Sequence, residues 1–143
     1  MKYSEFLTRK AQLGSMDGFD PNTMPSFLFD FQQVLVEWAL RKGKAAIFAD
    51  CGLGKTLMQL VWAENVVRHT NKPVLIATPL AVSHQHIREA QTFGIEAQRV
   101  ADGKVGAAKV IVTNYERLDR FDPALFAGMV CDESCILKNF DGA

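Results

Sequence analysis

Residues 49–56 read Ala49-Asp50-Cys51-Gly52-Leu53-Gly54-Lys55-Thr56, and the segments on either side decide how the chain folds. Upstream lies an apolar run, Ala45, Ala46, Ile47 and Phe48; downstream, Leu57, Leu60, Val61 and Ala63 recur at helical spacing. Strand, glycine loop, helix is the setting a phosphate cradle needs. Gly52 and Gly54 let the backbone turn tightly and aim N–H groups at an anion, and the following helix adds the positive end of its dipole. Lys55 is expected to reach the β- and γ-phosphates and the Thr56 hydroxyl to ligate Mg²⁺. Asp50, Cys51 and Leu53 complete the loop around a bound nucleoside triphosphate.

Away from the cradle, apolar runs and helical patterns alternate. Residues 3–12 suit a short amphipathic helix, and 13–26, rich in Gly, Asp, Asn, Pro and Ser, a connecting loop. Residues 28–42 are expected to be helical, with Phe31, Val34, Leu35, Trp38 and Ala39 as the apolar face and Gly43 as the stop. A buried strand is expected over 44–49, a helix over 55–69 and a strand at Val74–Ala77, stopped by Thr78-Pro79. A helix over 80–93 then ends at Gly94, a short strand follows over 96–100, and Val110–Thr113 is the clearest β-branched run. Tyr115–Phe121 suits a short helix, and Met129, Val130 and Cys131 lead into Asp132-Glu133. Apolar strands without alternation, separated by helices, imply a parallel sheet covered on both faces. Trp38 and Trp62, both on apolar helix stripes, are expected in the core.

The chain has 143 residues, 48% of them hydrophobic, enough for one domain with a real core. Its 16 basic and 16 acidic side chains cancel, so no overall charge advertises a nucleic-acid or membrane surface. Backbone amides and hydroxyls also contact phosphates, so neutrality does not exclude nucleic acid. There is no membrane-spanning apolar run and no secretory core near Met1, and the three cysteines lack zinc or disulfide spacing. A reduced, cytoplasmic protein with free thiols is expected, Cys51 being the most reactive because a helix N-terminus lowers a thiol's pKa. His84 and His86, two apart on one helix, do not share a face and are expected in solvent or packing rather than on a metal.

Asp132-Glu133 follows Lys55 by about 77 residues and closes a buried strand, which puts it at the carboxyl edge of the sheet, beside the cradle. There Asp132 could hold the Mg²⁺ hydration shell and Glu133 could orient and deprotonate a water. Read alone, the pair fits equally a helix N-terminus decorated with acids. Gln32, upstream, offers donor and acceptor to the edge of adenine, or is an ordinary polar residue on an exposed helix side.

In order, Phe31-Gln32 with Val36 and Trp38, the cradle, Ala77-Thr78-Pro79-Leu80, Val112-Thr113-Asn114-Tyr115-Glu116 and Asp132-Glu133-Ser134 resemble the first RecA-like domain of superfamily-two helicases. Within that superfamily the similarity is greatest to the Snf-type double-strand DNA translocases. Leu28-Phe29-Asp30-Phe31-Gln32 together with Leu137-Lys138-Asn139-Phe140 looks like the compact helicases of bacteriophages and prophages. The resemblance runs from about residue 28 onward. It implies an α/β fold: a three-layer αβα RecA-like P-loop domain over 28–143 with a central, mainly parallel sheet, incomplete at its C-terminal end, preceded by a helix and loop over 1–27. It implies ATP and Mg²⁺ as cofactors, ATP hydrolysis coupled to movement on double-stranded DNA, and a bacterial or phage-infected cell. Gln32 would read adenine; Gly52, Gly54, Lys55 and Thr56 would hold phosphates and metal; Asp132 would be the metal-linked acid and Glu133 the catalytic base. Thr78, Pro79, Thr113, Asn114 and Tyr115 would face nucleic acid; as a simple strand-end turn, the Thr113 segment would only cap the next helix.

The sequence departs from that pattern in places. Ala49 stands where the strict cradle has glycine, a variant the helicases share. Ser134-Cys135 replaces the common Ala-His that couples hydrolysis to the nucleic-acid site. The Ser/Thr-Ala-Thr motif and the second RecA-like domain with its arginine fingers do not follow within these residues. Hydrolysis by the chain alone is therefore expected to be poor, and an uncovered sheet edge could support self-association. A nucleotide- or partner-binding module without turnover is the competing expectation. A P-loop kinase or transferase is a third, which Phe31-Gln32 and Asp132-Glu133-Ser134 argue against.

Overall fold

The computed structural model describes residues 17–47 and 54–133. The helix expected over 3–12, the loop residues Asp50, Cys51, Gly52 and Leu53, and everything from Ser134 on lie outside these residues. Helix α1 spans Asp30–Lys42, with Asp30 in its first turn, Arg41 and Lys42 in its last, and Gly43 at φ 82° ending it. These charges match the helix dipole at both ends. Helix α2 spans Lys55–Thr70, opening at Gly54 and closing at Asn71, both in the left-handed conformation. Strand β1 is Val74–Thr78. A 3-10 turn at Leu80–Val82 then feeds helix α3, Ser83–Thr92. Strand β2 (Ala97–Arg99) and strand β3 (Val110–Asn114) follow. Two 3-10 segments, Tyr115–Arg120 and Pro123–Leu125, lead to strand β4, Gly128–Cys131.

The four strands form one sheet in the order β2-β3-β1-β4. All pairings are parallel, and the register sets Thr78 beside Asn114 and Ala77 beside both Thr113 and Cys131. The carboxyl ends of three strands thus meet at one edge. Alternate residues of β1 and β3 face opposite sides. Val74, Ile76, Val110 and Val112 join the main core with Val36 and Leu40 of α1, Leu60 and Val61 of α2, and Ala90 of α3. Leu75 and Ile111 point the other way, onto Val100 and Phe121. Burial on both faces explains the unbroken apolar runs in these two strands. The sheet is sandwiched as expected, with one covering layer of α-helices; the other, among the described residues, is built from the 3-10 segments.

Two sequence expectations change. Three of the five residues assigned to the apolar face of α1 are exposed, Phe31 at 44%, Trp38 at 41% and Val34; Leu35 and Ala39 do lie toward the core, together with Gln32, Val36 and Leu40. Trp38 is therefore not a core residue, while Trp62 does pack against the core. Residues 44–47 are not in a strand among the described residues, and Ala45 and Ala46 are exposed there.

Asn65, fully buried on α2, fastens the segment before α1. Its Oδ1 accepts from the Asn22 and Thr23 amides at 2.8 and 2.9 Å, and its Nδ2 donates to the Val61 carbonyl. Replacing Asn65 by alanine strands both amides and should cost about 2 kcal/mol, read as a lower urea midpoint at unchanged m.

Candidate functional site

Gly54 and Gln32 meet where the first turns of α1 and α2 converge. Gly54 has φ 71°, and a Cβ built there would fall 2.3 Å from the Gln32 Nε2. The dihedral favours glycine, and a Cβ there would also displace the end of the Gln32 side chain. Gln32 is 3% exposed, and its Oε1 accepts from the Phe29 amide at 2.9 Å, satisfying one donor at the start of α1. It is neither an exposed polar residue nor held away from the cradle. Lys55 and Thr56, the first two residues of α2, are half-buried. Among the described residues no side chain caps this helix, and the N–H groups of its first turn have no intrahelical partner.

An open cleft of about 470 Å³ adjoins these residues, lined by Phe27, Phe29, Phe31, Gln32, Gly54 and Leu57, by Glu89 and Thr92 of α3, and by Phe93 just beyond its end. The Phe27 and Phe93 rings pack on each other in its wall, with centroids 4.8 Å apart. Phe93 and its α3 neighbours were not candidates from sequence; the signal that was available is the alternation Phe27, Phe29, Phe31 just before a helix.

The acidic motif sits at the carboxyl end of β4. Asp132 is buried and anchored three ways. Its amide donates to the Ala77 carbonyl at 2.9 Å, its carbonyl accepts from the Tyr115 hydroxyl at 2.6 Å, and its Oδ1 accepts from Gln59 Nε2 at 2.9 Å. Gln59 lies three residues after Thr56 and four after Lys55, hence on the same helix face. The Asp132 carboxylate is therefore held within about one turn of both. Glu133 is exposed and left-handed, at φ 52°, a conformation that strains a non-glycine residue.

Thr78, Thr113, Asn114 and Tyr115 line the same edge with buried side chains; Pro79 is half-exposed. The Thr78 hydroxyl donates to the Pro79 carbonyl. Thr113 Oγ1 and Asn114 Oδ1 are buried without a hydrogen-bond partner among the described residues. Asn114 Nδ2 donates to Glu116, and this bond lowers the Glu116 pKa below the usual carboxylate value. Burial raises the Cys131 thiol pKa, which disfavours thiolate at neutral pH although the residue as a whole is exposed. Cys51 and Cys135 lie outside the described residues. His86 is 1% exposed, a packing residue with polar partners rather than a solvent one. Among the described residues no helix is long and apolar enough to cross a membrane.

The donor set suits a magnesium nucleotide: a helix start without its own cap, a lysine and a hydroxyl on its first turn, and a buried carboxylate aimed at that turn. Sheet, helices and edge define an α/β domain with a RecA-like, all-parallel sheet. The chain matches the crystal structure of the UvsW helicase from bacteriophage T4 with a TM-score of 0.67 at 17% identity, over 94% of this chain and 51% of that one. It thus spans about half the length of that protein. No protein-family model matches the chain, and no curated protein does either.

Proposed function

We propose that this chain is the ATP-binding part of a DNA-dependent ATPase motor of the superfamily-two helicase kind, with the Snf-type double-strand DNA translocases as the nearest branch. The observation that carries the reading is the Gln59–Asp132 hydrogen bond, which ties the acidic motif to the helix bearing Lys55 and Thr56. Lys55 neutralises the β- and γ-phosphates. The Thr56 hydroxyl and, through water, Asp132 hold the metal. When bound, Mg²⁺ would supply charge neutralisation to the phosphates. Glu133 orients the attacking water and accepts its proton. The Phe-lined cleft beside Gln32 takes the base, with ring faces for stacking and an amide edge for adenine. Because the Thr78, Thr113, Asn114 and Tyr115 side chains are inside, contacts to the DNA backbone from this edge run through main-chain groups and Pro79.

The test is binding and turnover of Mg·ATP by the purified chain with and without duplex DNA. The reading expects binding with poor turnover by this chain alone, and turnover that duplex DNA raises in a protein that also carries the second RecA-like domain. Glu133→Gln should leave affinity within about threefold and slow turnover by roughly 100-fold, as loss of a general base does. A chain that binds no ATP overturns the reading. Binding without turnover under any condition favours the non-catalytic nucleotide module.

A further inference from the structure

Behind Asp132 runs a chain of hydrogen bonds that reaches a different helix. Gln59 Nε2 donates to Asp132 Oδ1 at 2.9 Å, and Gln59 Oε1 faces His86 Nε2 at 2.8 Å. The other ring nitrogen of His86 faces the Val82 carbonyl at 3.1 Å. An amide has one donor end and one acceptor end, so the two contacts of Gln59 are not interchangeable. Turned over, Gln59 would set its oxygen against the Asp132 carboxylate. With Nε2 as the donor, His86 pins the amide oxygen and so keeps the NH₂ on the acid; the Val82 contact is then a hydrogen bond only when Nδ1 carries a proton as well. His86 is itself fixed, buried on α3 with Val82 one turn back.

We propose that Gln59 and His86 are positioning residues for Asp132: they aim its carboxylate at the metal water and tie that aim to α3. The inference rests on the ATP reading above. Helix α3 follows Thr78-Pro79 by way of the Leu80–Val82 turn, the edge assigned to DNA. The bridge therefore joins the DNA-facing turn to the acid in a sequence whose acidic motif carries Ser134-Cys135 in place of Ala-His. Partners behind a metal-linked carboxylate commonly set the metal affinity even though they never touch the ion.

The experiment measures ATP affinity of the chain in Mg²⁺ and in EDTA. In the wild type Mg²⁺ tightens binding. Gln59→Leu should reduce that Mg²⁺ enhancement roughly 10-fold while leaving affinity in EDTA unchanged, a split that general loss of structure would not give. His86→Phe should do the same, and the double variant should be no worse than Gln59→Leu, since both act through one chain of bonds. Full Mg²⁺ enhancement in Gln59→Leu, or additive losses in the double variant, overturns the proposal. A second measurement does not need nucleotide: the ¹⁵N resonances of the His86 ring, compared between the wild type and Asp132→Ala. Removing the acid frees the Gln59 amide, so the Nε2 resonance should move; an unmoved resonance overturns the bridge. A chain that binds no ATP but shows that shift loses the ATP reading and keeps the bridge.

Discussion

Lys55→Ala should weaken Mg·ATP binding by this chain roughly 10- to 100-fold. That range corresponds to about 1.5–3 kcal/mol, the contribution of a hydrogen bond to a charged group. Lys55 opens α2, half-buried, with its side chain on the face that also carries Gln59 and, through it, Asp132. Its removal deletes the main positive charge proposed to face the triphosphate. Fold stability should barely change, because alanine suits a first-turn helical position. Calorimetric titration reads the first quantity and thermal unfolding the second. Unchanged affinity would mean that the nucleotide does not lie along the start of α2.

Gly54→Ala should damage fold and site together. A side chain at φ 71° costs about 1–2 kcal/mol. The new methyl also meets Gln32 Nε2 and must push that side chain off the Phe29 amide, which adds about 1 kcal/mol. The sum, about 2–3 kcal/mol, should appear in the urea midpoint. The double variant Gly54→Ala/Gln32→Ala separates the two causes. If the clash contributes as described, it is less destabilised than the two single losses added together; strict additivity would leave only the dihedral cost.

Much of this arrangement was legible in the sequence because its signals are local. Continuous apolar runs at Val74–Ala77 and Val110–Thr113 have no polar side to show, and both proved to be central strands buried on both faces. Lys55–Thr70 and the turn into α3 announced themselves by spacing and by Pro79. Helix α1 misled because it carries two stripes. Phe31, Val34 and Trp38 form the more hydrophobic one, yet the stripe through Gln32, Val36, Ala39 and Leu40 is inside. Hydropathy could not rank them, since Gln32 is buried for its hydrogen bond to Phe29 and its fit against Gly54.

At the site, the expectation that Asp132 lies near Lys55 and Thr56 needed only the rule that strand ends gather at one sheet edge. The means of pairing was out of reach. Gln59 reads as an ordinary helix residue, and its partners lie 73 residues away at Asp132 and 27 away at His86. His86 is expected in solvent or packing, and its bond to Gln59, on another helix, leaves no trace in spacing. Tyr115 was assigned outward by resemblance, but its hydroxyl is spent on the Asp132 carbonyl.

That last bond has a kinetic consequence. The Asp132 amide is held by β1 and its carbonyl by Tyr115, next to the β1–β4 pairing at Ala77 and Cys131. Local opening cannot release this carboxylate without first parting a central strand from its neighbour. The acid end of the site thus opens together with the β1–β4 pairing rather than ahead of it, so fraying elsewhere among the described residues leaves Asp132 in place.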